Sequence, residues 1–135
     1  MEGLSRKMTR EPRNTEAARP EMTLRWAGRI LFAAALLVIT DLALQPGYDM
    51  PASILGSDKL EHFAAFAALA LLSCIAWPTV TRWLTVPLLM LYGIGIELAQ
   101  ATPEIGRTAS LADLGADALG IAFGMIATGL LRRRA

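Results

Sequence analysis

The residues of this chain that could take part in chemistry occur in pairs, and the members of each pair lie three or four positions apart. The pairs are Asp58 with His62, Glu97 with Gln100, and Asp113 with Asp117. Residues at these spacings share one face of an α-helix, so each pair forms a short polar stripe if its segment is helical. Carboxylates, an amide and an imidazole can transfer protons, donate and accept hydrogen bonds, and bind ions or polar groups.

His62 is the single histidine of the chain. Beside Glu97 or Asp113 it could act as a general acid or base, with the carboxylate fixing its tautomer. The same groups, with Asp117, are ligand types that zinc or manganese accepts. A lone histidine in an apolar helix is more often a structural hydrogen-bonding group. We therefore assign no catalytic residue, no metal and no cofactor from the sequence, and keep His62, Glu97 and Asp113 as catalytic candidates.

Two basic residues accompany these acids, Lys59 next to Asp58 and Arg107 shortly before Ser110. An arginine that faces outward beside a lysine suits an anionic headgroup, a phosphate or a carboxylate. For Arg107, charge balance for Glu97, Asp113 and Asp117 is the alternative role. We also predict two helix caps, with Asp58 as the N-cap of one helix, supported by Glu61, and Ser110 as the N-cap of another.

The segments that position these residues are strongly apolar. The chain has 135 residues, of which 54% are hydrophobic, and a mean hydropathy of +0.43, which is too apolar for a soluble domain of this size. A membrane-spanning helix needs ~20 mainly apolar residues. Four windows qualify, at residues 26–44, 60–77, 82–101 and 111–131. The predicted fold class is all-α, an integral membrane bundle of four transmembrane helices that run up and down.

The remaining composition sets the domain organisation. Residues 1–22 mix charged residues, proline and threonine without apolar periodicity, so we predict a disordered cytoplasmic tail followed by one membrane domain over residues 23–135. The net charge of +1 argues against bulk binding of nucleic acid. The only cysteine, Cys74, lies in an apolar run and is interpreted as a small packing residue.

Basic residues near the helix ends predict the orientation in the membrane. They lie before the first helix, after the second and after the fourth, as Arg19, Arg25, Arg29, Arg82, Arg132, Arg133 and Arg134. Both termini and the middle connection are therefore predicted to be cytoplasmic, which places Asp41 and the three polar pairs at the outer face. Trp77 and Trp83 flank the middle connection, as expected for aromatic anchors at a membrane interface.

Small residues repeat every four positions along the last helix, at Ala116, Gly120, Gly124 and Thr128. Such a ridge lets another helix approach closely. Asp113 and Asp117 lie on or beside it, so we expect them to point into the bundle. Gly93 and Gly95 are interpreted in the same way. Packing within the bundle is favoured over self-association, and a homodimer remains an alternative.

Taken in chain order, the polar residues form four short motifs. They are Asp-Lys-x-x-His-Phe at a helix start, Glu-x-x-Gln at a helix end, a Gly-Arg loop, and Ser-x-x-Asp-x-x-x-Asp-x-x-Gly opening the last helix. Their residues are Asp58, Lys59, His62, Phe63, Glu97, Gln100, Gly106, Arg107, Ser110, Asp113, Asp117 and Gly120. This order, over about residues 26–131, resembles the VanZ-like family of bacterial membrane proteins, although that family usually has Asn where this chain has Asp117.

The resemblance implies a multi-pass protein of the bacterial inner (cytoplasmic) membrane, from a family named for low-level resistance to the glycopeptide antibiotic teicoplanin. The family name therefore points to a cell-envelope phenotype and does not specify a reaction. The polar residues of the four motifs are the binding residues we predict on this basis.

Four functions fit the pattern. The favoured one is a non-enzymatic protein whose outer site recognises or shields the headgroup of an anionic lipid or lipid-linked cell-wall precursor. An intramembrane enzyme that uses His62 as acid or base on a lipid-linked substrate is the second, and a purely structural polar cluster is the third. Transport is least favoured, because the first helix offers only Asp41, near its end. The expected partners are membrane lipids, and no nucleic acid is expected.

Overall fold

A computed structural model describes residues 18–46, 57–80 and 82–134 of the chain. It has the helices α1 (Ala18–Ala43), α2 (Asp58–Ala76), α3 (Arg82–Gln100) and α4 (Leu111–Arg134). All four are long and apolar enough to cross a membrane. The predicted all-α class and the four apolar segments are confirmed. Four such helices are the architecture of a multi-pass membrane protein.

The first helix begins earlier than the sequence indicated. Helix α1 starts at Ala18 rather than at Trp26, so the prediction of disorder is wrong for residues 18–22. Its first turns contain Glu21 and Met22, which have good helix propensity, and Glu21 forms an ion pair with Arg25 one turn later at 3.4 Å. The rest of the predicted tail, residues 1–17, and most of the first connection, residues 47–56, lie outside the described residues.

Contacts at one end of the bundle establish how the helices run. Gln100 at the end of α3 donates a hydrogen bond to the carbonyl of Ala43 at the end of α1, at 3.1 Å. His62 near the start of α2 contacts Asp117 near the start of α4 and Glu97 near the end of α3. Consecutive helices therefore alternate in direction. We call the end where these contacts occur the polar end.

Helix α2 is the centre of the bundle, with α4 packed closely along one side and α1 along another. The buried apolar core comes from three helices and consists of Phe66, Leu69, Ala70, Leu89, Ile96, Ile121 and Met125. Large apolar side chains also cover the outside, including Leu37, Leu91, Leu98 and Leu119. An exterior of this kind suits a hydrocarbon solvent and not water.

The small residues of α4 allow its close contact with α2. Modelling a β-carbon onto Gly120 places it 3.0 Å from the backbone nitrogen of Ala67, and at Gly124 it would lie 2.6 Å from the carbonyl oxygen of Ala67. Packing within the bundle, as predicted for this ridge, is confirmed. The same interpretation is wrong for Gly95, which is exposed and has open space where a side chain would lie.

The opposite end of the bundle is marked by arginine and tryptophan. Arg29 lies 4.8 Å from the ring centre of Trp26 and donates to the carbonyl of Ala76 at 3.3 Å. Trp77 packs edge-on against Phe32 of α1, with ring centres 5.2 Å apart. Trp83 is 90% exposed. Of the two predicted anchors, Trp83 thus lies on the outside of the bundle, while Trp77 packs against α1.

Two glycines of α4 test the close packing directly. We expect Gly120→Ala to lower the free energy of unfolding by about 1–3 kcal/mol, because the added methyl group meets the backbone of α2. Gly115→Ala is the matched control, since Gly115 has open space around it and alanine is the better helix former. Denaturant unfolding in detergent micelles would measure both; equal stability of the two variants would contradict the packing.

Candidate functional site

Helix α2 begins with a cap that differs from the predicted one. The N-cap is Ser57, whose hydroxyl accepts a hydrogen bond from the backbone nitrogen of Leu60 at 3.3 Å, so the assignment of Asp58 as N-cap is wrong. Asp58 is the first helical residue instead. Its carboxylate accepts a hydrogen bond from the guanidinium of Arg107 at 2.9 Å, which joins α2 to the connection between α3 and α4.

His62 lies between two buried carboxylates on different helices. Its Nδ1 is 2.9 Å from Oδ1 of Asp117, and its Nε2 is 3.9 Å from Oε1 of Glu97. The Asp117 side chain is 0% exposed, the Glu97 side chain 4% and the imidazole 10%. These three residues, which we call the buried triad, connect α2, α3 and α4 through polar contacts in an otherwise apolar interior.

The hydrogen bond to Asp117 defines the roles of the two ring nitrogens. When Asp117 is ionised, its carboxylate can only accept a hydrogen bond, and Nδ1 is then the donor in this contact. A neutral imidazole that carries its proton on Nδ1 has a lone pair on Nε2. That lone pair is then available on the side of the ring that faces Glu97.

Glu97 also holds the third connection in place. Its Oε2 accepts a hydrogen bond from the backbone nitrogen of Ser110 at 2.6 Å. The hydroxyl of Ser110 in turn accepts from the backbone nitrogen of Asp113 at 3.3 Å, which confirms Ser110 as the N-cap of α4. Within the same connection Gly106 has a φ of +66°, a conformation that glycine adopts without strain. The connection is thereby held against the end of α3.

The basic residues of the site are paired with acids. Arg107 contacts Asp58, and the Lys59 ammonium lies 3.5 Å from Oδ1 of Asp113. Both contacts cross from one element to another. The acid that Arg107 balances is Asp58, in place of the expected Glu97, Asp113 and Asp117. The acids still outnumber the bases, because the polar end also holds Glu61, Glu97 and Asp117.

Three buried carboxylate oxygens have no hydrogen-bond partner among the described residues. They are Oε1 of Glu97, Oδ1 of Asp113 and Oδ2 of Asp117. The Asp117 oxygen occupies the space left by Gly93, where a β-carbon would lie 2.5 Å from it, so Gly93 serves the site and not only helix packing. Buried polar atoms without a partner are costly, most of all in a membrane, so each of these oxygens calls for a proton, a water molecule or a cation.

A cavity of about 310 Å³ opens beside the triad, between α1, α2 and α3. Its polar lining is Asp58, Glu61, His62, Gln100 and Arg107, and its apolar lining is Ile39, Leu42, Ala43, Ala64, Ala65, Phe66 and Ile96. One end of the cavity is therefore suited to a polar group and the other to hydrocarbon.

The structure brings most of the predicted site residues together. His62, Glu97, Asp113 and Asp117 meet in the interior, as expected from their helix faces. Their neighbours at the polar end are Asp58, Lys59, Gln100, Arg107 and Ser110. Asp41 lies near the same end of the bundle, as predicted, but it is exposed and makes no contact with the triad among the described residues.

Sequence reasoning missed Ser57, Gly93 and the wall that α1 gives the cavity. Ser57 could have been found, because serine before an acidic first turn is a common cap. The α1 residues that line the cavity are apolar, so nothing in the sequence marked them as part of a site. The α1 wall depends on a hydrogen bond from this helix to α3, between the hydroxyls of Thr40 and Tyr92 at 2.8 Å.

Comparisons with known proteins give no relative. No family model matches the chain, and no curated protein and no solved structure matches it either. The arguments for function therefore rest on the geometry of the polar end.

The buried triad predicts a strong energetic coupling between His62 and Asp117. Replacing His62 by Ala leaves two facing carboxylates without their partner, which we expect to cost about 3–5 kcal/mol of unfolding free energy. Adding Asp117→Asn should then cost much less than it does in the native chain, because the unpaired charge is removed. A double-mutant cycle measured by denaturant unfolding in micelles gives the coupling.

The control for this cycle pairs His62→Ala with Asp41→Asn, an exposed acid near the same end. Those two changes should be additive within about 0.5 kcal/mol. Additivity of His62→Ala with Asp117→Asn as well would show that the 2.9 Å contact does not exist in the folded protein.

Proposed function

We propose that this chain is a membrane protein that holds the headgroup of an anionic lipid, or of a lipid-linked cell-wall precursor, at the polar end of its bundle. The observation that carries the proposal is the cavity of about 310 Å³, whose polar and apolar linings follow the two halves of a lipid. This volume lies at the lower end of the range for ligand pockets, so it suits a headgroup and the first part of a chain.

The positions of Arg107 and of the buried triad support binding of an anion beside Arg107, and not further into the bundle. Arg107 lines the cavity and is the cation closest to its polar groups. Its partner Asp58 has a side chain that is 44% exposed, so this ion pair can exchange with a ligand at little cost. The buried triad repels an anion further in. Gln100 and His62 offer hydrogen bonds to the uncharged part of a headgroup.

The motif order supports the same proposal from the sequence. The resemblance to the VanZ-like family implies a bacterial inner membrane with the polar end outward, and the arginine-rich helix ends favour the same orientation. In that setting the ligand is a lipid or cell-wall precursor of the outer leaflet, and a link to glycopeptide resistance follows as part of the proposal.

A second candidate function is catalysis on a lipid-linked substrate. The observation that favours it is the hydrogen bond from His62 to Asp117, which leaves the second ring nitrogen as a potential base beside the cavity. Glu97 would then be the adjacent acid. The expected product differs in mass from the lipid supplied, so it is recognised in the experiment described next.

Native mass spectrometry of the protein tests the headgroup proposal. The probe is an equimolar mixture of phosphatidylglycerol and phosphatidylcholine, offered in micelles with a chelator present. We expect the native chain to retain the anionic lipid preferentially. Arg107→Gln should weaken that retention about tenfold or more, the loss expected for one charge-assisted hydrogen bond.

Two controls separate recognition from charge balance. Asp58→Asn leaves Arg107 without its acidic partner and should keep or increase the preference for the anionic lipid. Arg25→Gln removes an ion-paired arginine outside the polar end and should change nothing. An Arg107→Gln protein that folds and keeps its lipid preference would refute the proposal. A bound lipid that changes mass in the native chain but not in His62→Gln would favour the enzyme instead.

A further inference from the structure

A group of three potential metal ligands lies at the polar end. Asp58, His62 and Asp113 each offer one ligand atom, and these atoms are all within 4.8 Å of one another. Two of the residues come from α2 and one from α4, so the group exists only in the folded bundle. Bonds of zinc to nitrogen or oxygen are ~2.0–2.2 Å long, so two ligands of one ion lie at most about 4.4 Å apart, and small side-chain movements bring these atoms within that range.

A second observation points to a cation at this position. The side chain of Asp113 is 7% exposed, yet its Oδ1 has no hydrogen-bond partner among the described residues. The nearest positive charge is the Lys59 ammonium at 3.5 Å, and the Lys59 side chain is 60% exposed. Lys59 therefore balances this charge from the surface without satisfying the buried oxygen.

The imidazole adds an independent argument. With Nδ1 donating to Asp117, the lone pair of Nε2 faces Oε1 of Glu97 at 3.9 Å, and that oxygen also lacks a partner. Two electron-pair donors that face each other across such a gap are stabilised by a proton or a metal ion between them. A carboxylate that orients a histidine through its other ring nitrogen is the usual outer partner of a metal-bound histidine.

We propose that the polar end binds one divalent transition-metal ion, Zn²⁺ or Mn²⁺, through Asp58, His62 and Asp113. Asp117 orients the imidazole, and Glu97 is the adjacent carboxylate that the ion also neutralises. An imidazole among the ligands disfavours Mg²⁺ and Ca²⁺, which prefer oxygen. The partly exposed side chains of Asp58 and Lys59 give the ion a route from the aqueous side.

The metal site goes beyond the headgroup proposal and does not depend on it. It uses carboxylates and the imidazole, whereas the headgroup is held by Arg107. Asp58 is shared, because it contacts Arg107 when no ion is bound. A metal-binding test without lipid therefore checks the metal site alone, and its result does not depend on the outcome of the lipid experiment.

Equilibrium dialysis of the purified protein against Zn²⁺ or Mn²⁺, followed by elemental analysis, tests the site. The protein is produced without a polyhistidine tag and stripped with chelator first. We expect one ion per chain for at least one of the two metals. His62→Gln and Asp113→Asn should weaken binding by more than roughly 100-fold, and Asp117→Asn by about 10–100-fold as an outer partner. The control is Glu104→Gln, which changes an exposed acid in the connection between α3 and α4 and should have no effect on metal binding.

Asp58→Asn keeps the test decisive if the buried variants do not fold, since Asp58 is the most exposed of the three ligands. It should fold normally and still bind the metal at least about tenfold more weakly. Absence of stoichiometric binding of either metal to the native chain would overturn the proposal. Binding that is equal in the native chain, Asp58→Asn and Glu104→Gln would overturn it too, as adventitious.

Discussion

The structure depends on the burial of charged groups around one imidazole. His62 contacts Asp117 at 2.9 Å and faces Glu97 at 3.9 Å inside a bundle whose exterior is apolar. Ionisable groups cost ~2.5–3.5 kcal/mol each at the centre of a membrane on insertion scales and less near an interface, so they persist there only when they are mutually compensated. Compensation requires three helices to present their polar stripes at one height, and that requirement fixes the relative position of α2, α3 and α4.

The small residues follow from this constraint. Gly93 leaves the space that the Asp117 carboxylate occupies, and Gly120 and Gly124 bring α4 onto the backbone of α2. Glu97 extends the network outward by accepting from Ser110, which begins α4. Polar contacts and close packing are thus parts of one arrangement, and neither would hold the observed geometry alone.

Helix α1 stands apart from this arrangement. It buries little of its surface, and its polar links to α3 include the bond from Gln100 to Ala43, the contact between Thr40 and Tyr92, and the bond from Tyr92 to the carbonyl of Leu36. It closes one side of the cavity, so the cavity is bounded by polar residues of α2, α3 and the connection after α3 and by apolar residues of α1.

Much of the architecture was predictable from the sequence, because apolar length determines a spanning helix and a spacing of three or four places two residues on one face. That logic gave the four helices and the meeting of His62, Glu97, Asp113 and Asp117. It failed for the choice between Ser57 and Asp58 as cap, since adjacent polar residues can both serve. It also failed to predict which acid pairs with which base.

The pairing of Lys59 with Asp113 and of Arg107 with Asp58 depends on long side chains and on the exact separation of α2 and α4. The cavity escaped prediction for a related reason, because it is defined by the gap that α1 leaves. Which buried oxygens lack a hydrogen-bond partner likewise depends on interatomic distances that the sequence does not give. These oxygens make the buried polar cluster a candidate binding site.

The central claim is that Asp117 holds the imidazole of His62 in one tautomer inside the bundle. Nitrogen-15 NMR of the histidine side chain, recorded in micelles with chelator present, tests this most directly, because the chain contains a single histidine. The account predicts one ring signal pair with the proton on Nδ1, altered by Asp117→Asn and unaffected by Asp41→Asn. A mobile imidazole that carries its proton on Nε2, and does not respond to Asp117→Asn, would contradict it.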